Sequence, residues 1–139
     1  MDNFYQAPIF VEAYDAFYPS SHPQVPIVVE FYDRLARTLG GPILAVACGT
    51  GRITLPLAEA GHEVVGADRS NAMLAIARRK LSALPAAVQE RVTFINQEMS
   101  ALNLGRRFGL VFVPSRSFQH LLTVDLQRKA LAAFRQHLE

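Results

Sequence analysis

Apolar residues recur at helical spacing through the first part of the chain. They stand at positions 9, 10, 13, 14 and 17, and a second stripe of the same spacing covers positions 25–39. Pro23 and Pro26 lie at the start of the second stripe, where a missing backbone N–H costs little, and Gly40 and Gly41 follow its end. The pattern predicts two amphipathic helices within residues 1–40.

The hydrophobic pattern then changes its period. A continuous apolar run at 43–47 is typical of a strand that is buried on both faces, and further short strand patterns follow at 63–67, 92–95 and 110–113. Helical spacing fills the segments at about 52–60 and 70–81, and a last helix carries apolar residues at 126, 130, 134 and 138. Ser70 and Thr123 stand where helix N-caps are expected. Alternating strands and helices predict an α/β fold with a parallel sheet and right-handed crossovers.

Length and composition describe one globular unit. The chain has 139 residues, of which 50% are hydrophobic, and this suits a single domain over 1–139, with helices in 1–40 and the α/β core in 41–139. The net charge of +2 is too small for a nucleic-acid-binding surface. Residues 1–8 lack the basic start and the apolar core of a secretory signal, so we expect none, and the longest apolar run, 43–48, is too short to span a bilayer. With one cysteine and scattered histidines, we expect a cytoplasmic protein with no metal site and no nucleic-acid or membrane partner.

Two glycines and an acidic residue stand at the ends of the first two strands. Gly49 and Gly51 follow the first strand, and a residue without a Cβ lets the backbone approach a ligand closely. Asp68 ends the second strand, 19 residues after Gly49, where a carboxylate can accept hydrogen bonds from both hydroxyls of a ribose. The pair predicts a nucleoside-binding site at this edge of the sheet. Thr54 replaces the third glycine of a dinucleotide-binding turn, and the lysine of a phosphate-binding loop is absent.

The residues around this pair resemble the motifs of one enzyme family. Residues 47–52 (ACGTGR) resemble the first motif of class I, Rossmann-like S-adenosylmethionine-dependent methyltransferases, and residues 65–74 (VGADRSNAML) resemble their second motif. Residues 94–99 and 107–111 are similar to the third strand with its acid–Met pair and to the fourth strand. The resemblance runs from about residue 10 to the end of the chain. It implies a Rossmann-like parallel sheet of about four strands in the order 3-2-1-4, with helices on both faces and without the family's C-terminal strands.

The resemblance also implies a role for individual residues around the cofactor S-adenosyl-L-methionine. Asp68 would hold the ribose, and Glu98 would accept a hydrogen bond from the adenine amino group. The other residues implied at the cofactor are Gly49, Thr50, Gly51 and Arg52 at the methionyl end, Arg69 and the Met99 backbone at the adenine, and Tyr14 in the segment that folds over it. The residues implied at a small-molecule methyl acceptor are Ser115, Arg116 and Phe118. His120 is the candidate general base, which is needed only if the acceptor must lose a proton.

Several positions depart from the family's pattern. Ala45 stands where the family usually has Glu or Asp, whose carboxylate supports the ammonium end of the cofactor; such a charge-assisted hydrogen bond is worth about 1.5–3 kcal/mol. Asp is common where Gly109 stands, and Arg69 replaces an apolar neighbour of the adenine. The chain ends near the helix after the fourth strand, where the family's sheet normally continues. An unpaired fourth strand predicts either a fragment of a longer enzyme or a homodimer that covers this edge.

Three functions are compatible with these residues. The leading hypothesis is a methyltransferase that acts on a small molecule. The second is a non-catalytic module that binds S-adenosylmethionine weakly or not at all and acts through dimerisation, which Ala45 favours. The third is an NAD(P)-binding domain with Arg69 beside a 2′-phosphate, although Asp68 would repel that phosphate. Plainer interpretations are a simple tight turn at Gly49, a helix cap at Asp68 and a surface charge at Arg116.

Overall fold

The computed structural model describes residues 4–139, which form a four-stranded parallel sheet with helices on both faces. The strand order is β3-β2-β1-β4, which confirms the order predicted from the sequence. Among these residues, no helix is long and apolar enough to cross a membrane. The helices and strands are, in chain order, α1 (Pro8–Phe17), α2 (Gln24–Leu39), β1 (Ile43–Val46), α3 (Thr54–Glu59), β2 (Val64–Asp68), α4 (Asn71–Ser82), α5 (Ala86–Gln89), β3 (Val92–Asn96), β4 (Leu110–Phe112) and α6 (Val124–Gln136).

The two faces of the sheet build two separate hydrophobic cores. Successive side chains of a strand point to opposite faces, so Ile43 and Ala45 pack into the cluster that α2, α3 and α4 cover. Leu44 and Val46 pack into the other cluster, which α6 covers. All four side chains are at most 1% exposed. Burial on both faces explains why β1 reads as an uninterrupted apolar run.

Side-chain caps begin two of the helices, as the sequence predicts. The Ser70 hydroxyl accepts a hydrogen bond from the backbone of Met73 (3.1 Å) at the start of α4. The Thr123 hydroxyl accepts one from Leu126 (3.2 Å) at the start of α6. Helix α3 begins at Thr54 rather than near position 52, because Gly51 has a φ of 80° and keeps the chain in the preceding turn.

The segment after α6 differs from the prediction. We expected Leu138 within the last helix, but α6 ends at Gln136 and Leu138 forms a parallel bridge with Phe108. The N–H of Phe108 donates to the carbonyl of His137 (2.7 Å), and the N–H of Glu139 donates to the carbonyl of Phe108 (3.1 Å). These bonds satisfy polar backbone groups of a fully buried residue. The short helix α5, which follows Pro85, was also not predicted.

A backbone contact at the amino end of β4 explains the glycine at position 109. A Cβ built on Gly109 would lie 1.6 Å from the carbonyl oxygen of Gly40, which is an impossible distance. The N–H of Gly109 also donates to the carbonyl of Pro42 (3.0 Å). No side chain fits here without a shift of the backbone between α2 and β1, so the aspartate common in the resembling family is excluded by packing.

Candidate functional site

The structure brings the predicted glycine turn and acid together. The N–H of Gly49 donates to Oδ2 of Asp68 (2.8 Å), and the N–H of Ser70 donates to Oδ1 (2.8 Å). A carboxylate offers about four acceptor positions, so two of them stay available to a ligand. Burial raises the pKa of Asp68 above its ordinary value, although the two backbone N–H groups act in the opposite direction. The site therefore holds a half-buried carboxylate that is fixed in orientation and able to accept two more hydrogen bonds.

At Gly49 the turn after β1 exposes its backbone to the same space, whereas Gly51 is buried beside the Leu55 and Phe94 side chains. Gly49 and Gly51 have φ values of 56° and 80°, in the left-handed region that glycine adopts without strain. Nothing lies within 4 Å of the point where a Cβ of Gly49 would stand. Ala47 has a φ of 55° although it carries a Cβ. A ligand can thus approach the main chain at Gly49 directly.

A pocket of about 610 Å³, counting its open mouth, lies over the ends of β1 and β2. The enclosed part of this pocket is about 90 Å³ and the rest is open to solvent, so a nucleoside-sized ligand would extend into the open mouth. Asp68 and Glu98 are the carboxylates that line it. Its lining residues are Tyr5, Tyr14, Ala47, Gly49, Asp68, Arg69, Met73, Gln97, Glu98, Met99, Ser117 and His120.

Glu98 and Arg69 face each other across one end of this pocket. Oε1 of Glu98 accepts a hydrogen bond from the N–H of Met99 (3.1 Å), which fixes the carboxylate at the start of a 3₁₀ turn, Met99–Ala101. Oε2 of Glu98 lies 3.8 Å from a guanidinium nitrogen of Arg69. Both side chains are about one-third exposed. The arrangement places an acceptor and a flat cation side by side, which is compatible with a base that carries an exocyclic amino group.

Aromatic residues from the N-terminal segment form a roof over the pocket. The Ser70 hydroxyl donates to the carbonyl of Tyr5 (2.7 Å), and the hydroxyl of Tyr5 lies 3.3 Å from Nε2 of His120. Burial raises the pKa of Tyr5 and of Tyr14 above the ordinary value of a phenol. The roof thus joins the start of the chain to α4 on one side and to the turn Ser117–His120 on the other.

A second, more open crevice continues from this pocket and shares Tyr5, Tyr14, Ser117 and His120 with it. The residues peculiar to it are Tyr18, Arg52, Ser115, Arg116 and Gln119. Among the described residues, no carboxylate lines this crevice, whereas two line the inner pocket. Ser115 has a φ of 56° at its edge. Two of the predicted acceptor residues therefore lie together, next to the inner pocket.

The third predicted acceptor residue lies elsewhere. Phe118 is half-buried and packs against the core cluster under α6, and it is not among the lining residues of either pocket. Thr50, predicted at the cofactor, is 1% exposed, and its hydroxyl donates to Asp15 (2.6 Å). Ala45 is 1% exposed within the core cluster under α2. No group of His, Cys, Asp and Glu that could hold a metal occurs in the part of the chain that the structure describes.

Sequence reasoning missed several lining residues. Met73 stood in the quoted second motif, whose spacing after the acid was the available signal. Gln97 directly precedes the predicted acid–Met pair. Tyr5 and Ser117 gave no signal, because their place depends on how distant segments pack. The contact between Tyr5 and His120, for example, spans 115 positions of the chain.

Comparison with known proteins identifies the family of the chain. A model of the family described as "Methyltransferase domain" matches residues 43–139. A protein of Bacillus subtilis (strain 168) named as a methyltransferase, YqeM, is 37% identical over 84 residues, which are 60% of this chain and 32% of the relative. The glycine/sarcosine N-methyltransferase of Parasynechococcus marenigrum (strain WH8102) is 35% identical over 109 residues, 76% of this chain and 37% of the relative.

Solved structures give the same result. The glycopeptide N-methyltransferase MtfA in complex with (S)-adenosyl-L-methionine superposes with a TM-score of 0.72 at 38% identity, over 79% of this chain and 47% of that one. The same enzyme has also been solved with sinefungin and with (S)-adenosyl-L-homocysteine. The chain spans about a third of the length of the curated relatives it matches and about half of this structure.

Proposed function

Because the chain belongs to the family of S-adenosylmethionine-dependent methyltransferase domains, we propose that it binds S-adenosyl-L-methionine and transfers its methyl group to a small-molecule acceptor. The observation that carries the proposal is the hydrogen bond of 2.8 Å between the N–H of Gly49 and the carboxylate of Asp68. This bond fixes two groups on one pocket wall, the accessible backbone at Gly49 and a carboxylate with two unused acceptor positions. In an adenosyl amino acid, the amino-acid part would contact the first group and the ribose the second.

The cofactor fits the residues of the inner pocket group by group. In this proposal the two available acceptor positions of Asp68 take the ribose hydroxyls. Glu98 accepts from the adenine amino group, and the Arg69 guanidinium and the Met99 backbone lie beside the ring. The backbone at Gly49 faces the methionyl part, whose carboxylate meets Arg52. Two features support this orientation: both carboxylates line the inner pocket, and Arg52 lines the crevice that opens from it.

The protein contributes to the reaction by positioning the acceptor relative to the methyl group. A bound sulfonium supplies an activated methyl group, so the chain has to align an acceptor with it and exclude water. Alignment at about 3–3.5 Å can lower a barrier by roughly 7–11 kcal/mol. Tyr14 covers both the inner pocket and the crevice. His120 lies where these two spaces meet and is hydrogen-bonded to Tyr5, so it is the group we propose to accept a proton when the acceptor carries one.

In this proposal the acceptor lies in the open crevice with Ser115 and Arg116. Two relatives methylate nitrogen by their names, one on a glycopeptide and one on glycine or sarcosine. We therefore propose an amine nitrogen as the nucleophile. A crevice lined by arginines and, among the described residues, by no carboxylate favours the uncharged and nucleophilic form of such an amine.

Titration calorimetry on the purified chain tests the proposal. S-adenosylmethionine and S-adenosylhomocysteine should both give binding heat, whereas NADP should give none. Heat with NADP alone, or with none of the three, would overturn the proposal. Formation of S-adenosylhomocysteine on a panel of small amines then tests turnover. Binding without turnover on the whole panel would favour the non-catalytic module.

Two wider expectations belong to the same proposal. A homodimer remains a prediction. Among the strands described, β4 pairs only with β1, so its outer edge could be covered by a second copy of the chain. Sedimentation at micromolar concentration tests it, and a stable monomer would contradict it. A cytoplasmic location and the absence of a nucleic-acid partner also remain predictions, which cell fractionation and a filter-binding assay with DNA and RNA would check.

A further inference from the structure

Three polar side chains from distant parts of the chain meet beside the glycine turn. The hydroxyl of Thr50 donates to Oδ1 of Asp15 (2.6 Å), and Nζ of Lys80 lies 3.1 Å from Oδ2 of the same carboxylate. Nζ of Lys80 is also 3.5 Å from the Thr50 hydroxyl. Asp15 belongs to α1, Thr50 to the turn and Lys80 to α4. We call these three residues the clamp.

The clamp is more than an exposed ion pair. Thr50 is 1% exposed, so its hydroxyl cannot exchange its partner for water without a change in packing. Both oxygens of Asp15 are engaged, one by each partner. The ammonium of Lys80 and the carboxylate of Asp15 are about one-third exposed. Hydrogen bonds to a charged group are stronger than neutral ones, and here the donor of one such bond, the Thr50 hydroxyl, is buried.

Helix α1 buries little apolar surface against the rest of the fold, although its Phe10 ring packs on that of Tyr5. Val11 is its single buried residue, while Ile9 and Phe17 are 81% and 71% exposed. The helix nevertheless carries Tyr14, which lines both the inner pocket and the crevice. Asp15 follows Tyr14 directly in the sequence. The position of this tyrosine over the pocket thus depends on a helix that apolar packing holds only weakly.

We propose that Asp15, Thr50 and Lys80 are positioning residues that hold Tyr14 against the glycine turn and over the cofactor. The inference rests on the proposed function, since it assigns the same pocket a cofactor. The turn that faces the cofactor through its backbone faces α1 through the Thr50 side chain. Order in the turn and docking of α1 therefore stabilise each other, and a bound cofactor should protect α1 from opening.

The test compares three variants with the wild-type chain: Thr50→Val, which removes the hydroxyl and keeps the shape, Lys80→Met and Asp15→Asn. Each should weaken S-adenosylmethionine binding by roughly tenfold, the effect of losing about 1.4 kcal/mol, mainly through faster dissociation. Chymotrypsin, which cleaves after the aromatic residues of α1, should release the N-terminal fragment faster. Saturating cofactor should slow this cleavage in the wild type and much less in the variants.

Matched variants separate positioning from a general loss of stability. Lys129→Met removes the exposed pair with Asp125 in α6 (2.9 Å) and should change neither binding nor cleavage. Thr50→Ser keeps the hydroxyl and should recover most of the affinity lost in Thr50→Val. The double variant Asp15→Asn with Lys80→Met should bind about as weakly as either single variant, because each single change already breaks the same Asp15–Lys80 ion pair.

Each outcome decides the matter. Faster cleavage of α1 with an unchanged midpoint of urea unfolding supports the clamp. Wild-type affinity and cleavage in Thr50→Val would overturn it, as would variants whose affinity falls only in proportion to their global stability. If the wild type itself binds no S-adenosylmethionine, the proposed function fails. The rate of α1 cleavage without ligand still tests whether the three residues hold this helix.

Discussion

Replacement of Asp68 by asparagine tests the central contact of the pocket. The carboxylate now accepts from two backbone N–H groups, at 2.8 Å each, but an amide has a single oxygen and turns its NH₂ towards the second donor. One N–H next to the pocket then loses its acceptor, at about 1–3 kcal/mol. Removal of a charge that burial disfavours, as the raised pKa of Asp68 shows, offsets part of this. We expect the free energy of unfolding to fall by about 1 kcal/mol.

Cofactor binding should fall by more than stability does. The ribose hydroxyls lose hydrogen bonds to an ionised acceptor, worth about 1.5–3 kcal/mol, so the dissociation constant of S-adenosylmethionine should rise by roughly 10- to 150-fold. Titration calorimetry measures the affinity, and urea unfolding measures the stability of the same samples. Asp125→Asn, at an exposed pair in α6, is the control and should change neither. An Asp68→Asn variant that binds the cofactor like the wild type would refute the assignment of this carboxylate to the ribose.

Three further predictions concern Gly109, His137 and the ionisation of Asp68. Gly109→Ala should cost more than 3 kcal/mol or prevent folding, because its Cβ would stand 1.6 Å from the Gly40 carbonyl oxygen. His137→Leu should lower the free energy of unfolding by about 1–3 kcal/mol and leave cofactor affinity unchanged, since Nε2 accepts from the N–H of Leu104 (3.0 Å) and neither residue lines the pocket. Cofactor affinity should weaken as pH falls through the raised pKa of Asp68, above its ordinary 3.8, because the ribose hydroxyls need the ionised form.

In the ligand-free protein, a raised carboxyl pKa means that the Asp68 contribution to stability is greatest below 3.8 and is lost as pH rises through the folded value. Because the cofactor needs the ionised form of Asp68, its binding should release protons in this window, and calorimetry in buffers of different ionisation enthalpy detects them.

Gly105→Ala is the control for Gly109→Ala. With open space around the added Cβ but a φ of 65°, it should cost only about 1–2 kcal/mol. A fold as stable with alanine at 109 as with alanine at 105 would contradict the packing argument.

The parallel α/β sheet and the closeness of the glycine turn to Asp68 followed from local patterns in the sequence, whereas the order of the strands was implied by the resemblance to a known family. Apolar runs separated by helical stripes leave few parallel arrangements, because crossovers are right-handed and the chain does not cross itself. Once β1 and β2 are neighbours, the ends of both strands meet, and Gly49 and Asp68 must lie close together. The caps at Ser70 and Thr123 were likewise predictable, because a cap is a local hydrogen bond.

Contacts between distant segments could not be predicted in this way. The hydroxyl of Thr50 finds its partner 35 positions away in Asp15, and nothing in the sequence around either residue marks the other. The exclusion of a side chain at Gly109 depends on where the end of α2 passes β4. The pairing of Leu138 with Phe108 depends on tertiary packing that ends α6 early, although Leu138 continues the helical period. In each case the missing information is a distance between elements rather than the nature of an element.

The left-handed conformations of Ala47 and Ser115 have a consequence for laboratory evolution of this chain. Each residue carries a Cβ where φ is near 55°, at about 1–2 kcal/mol, which exceeds the entropy of roughly 0.5–1 kcal/mol that a glycine loses on folding. A screen that rewards only heat resistance should therefore accumulate glycine at both positions. A screen that rewards turnover should retain the side chains, because both line the space in which the ligands would meet.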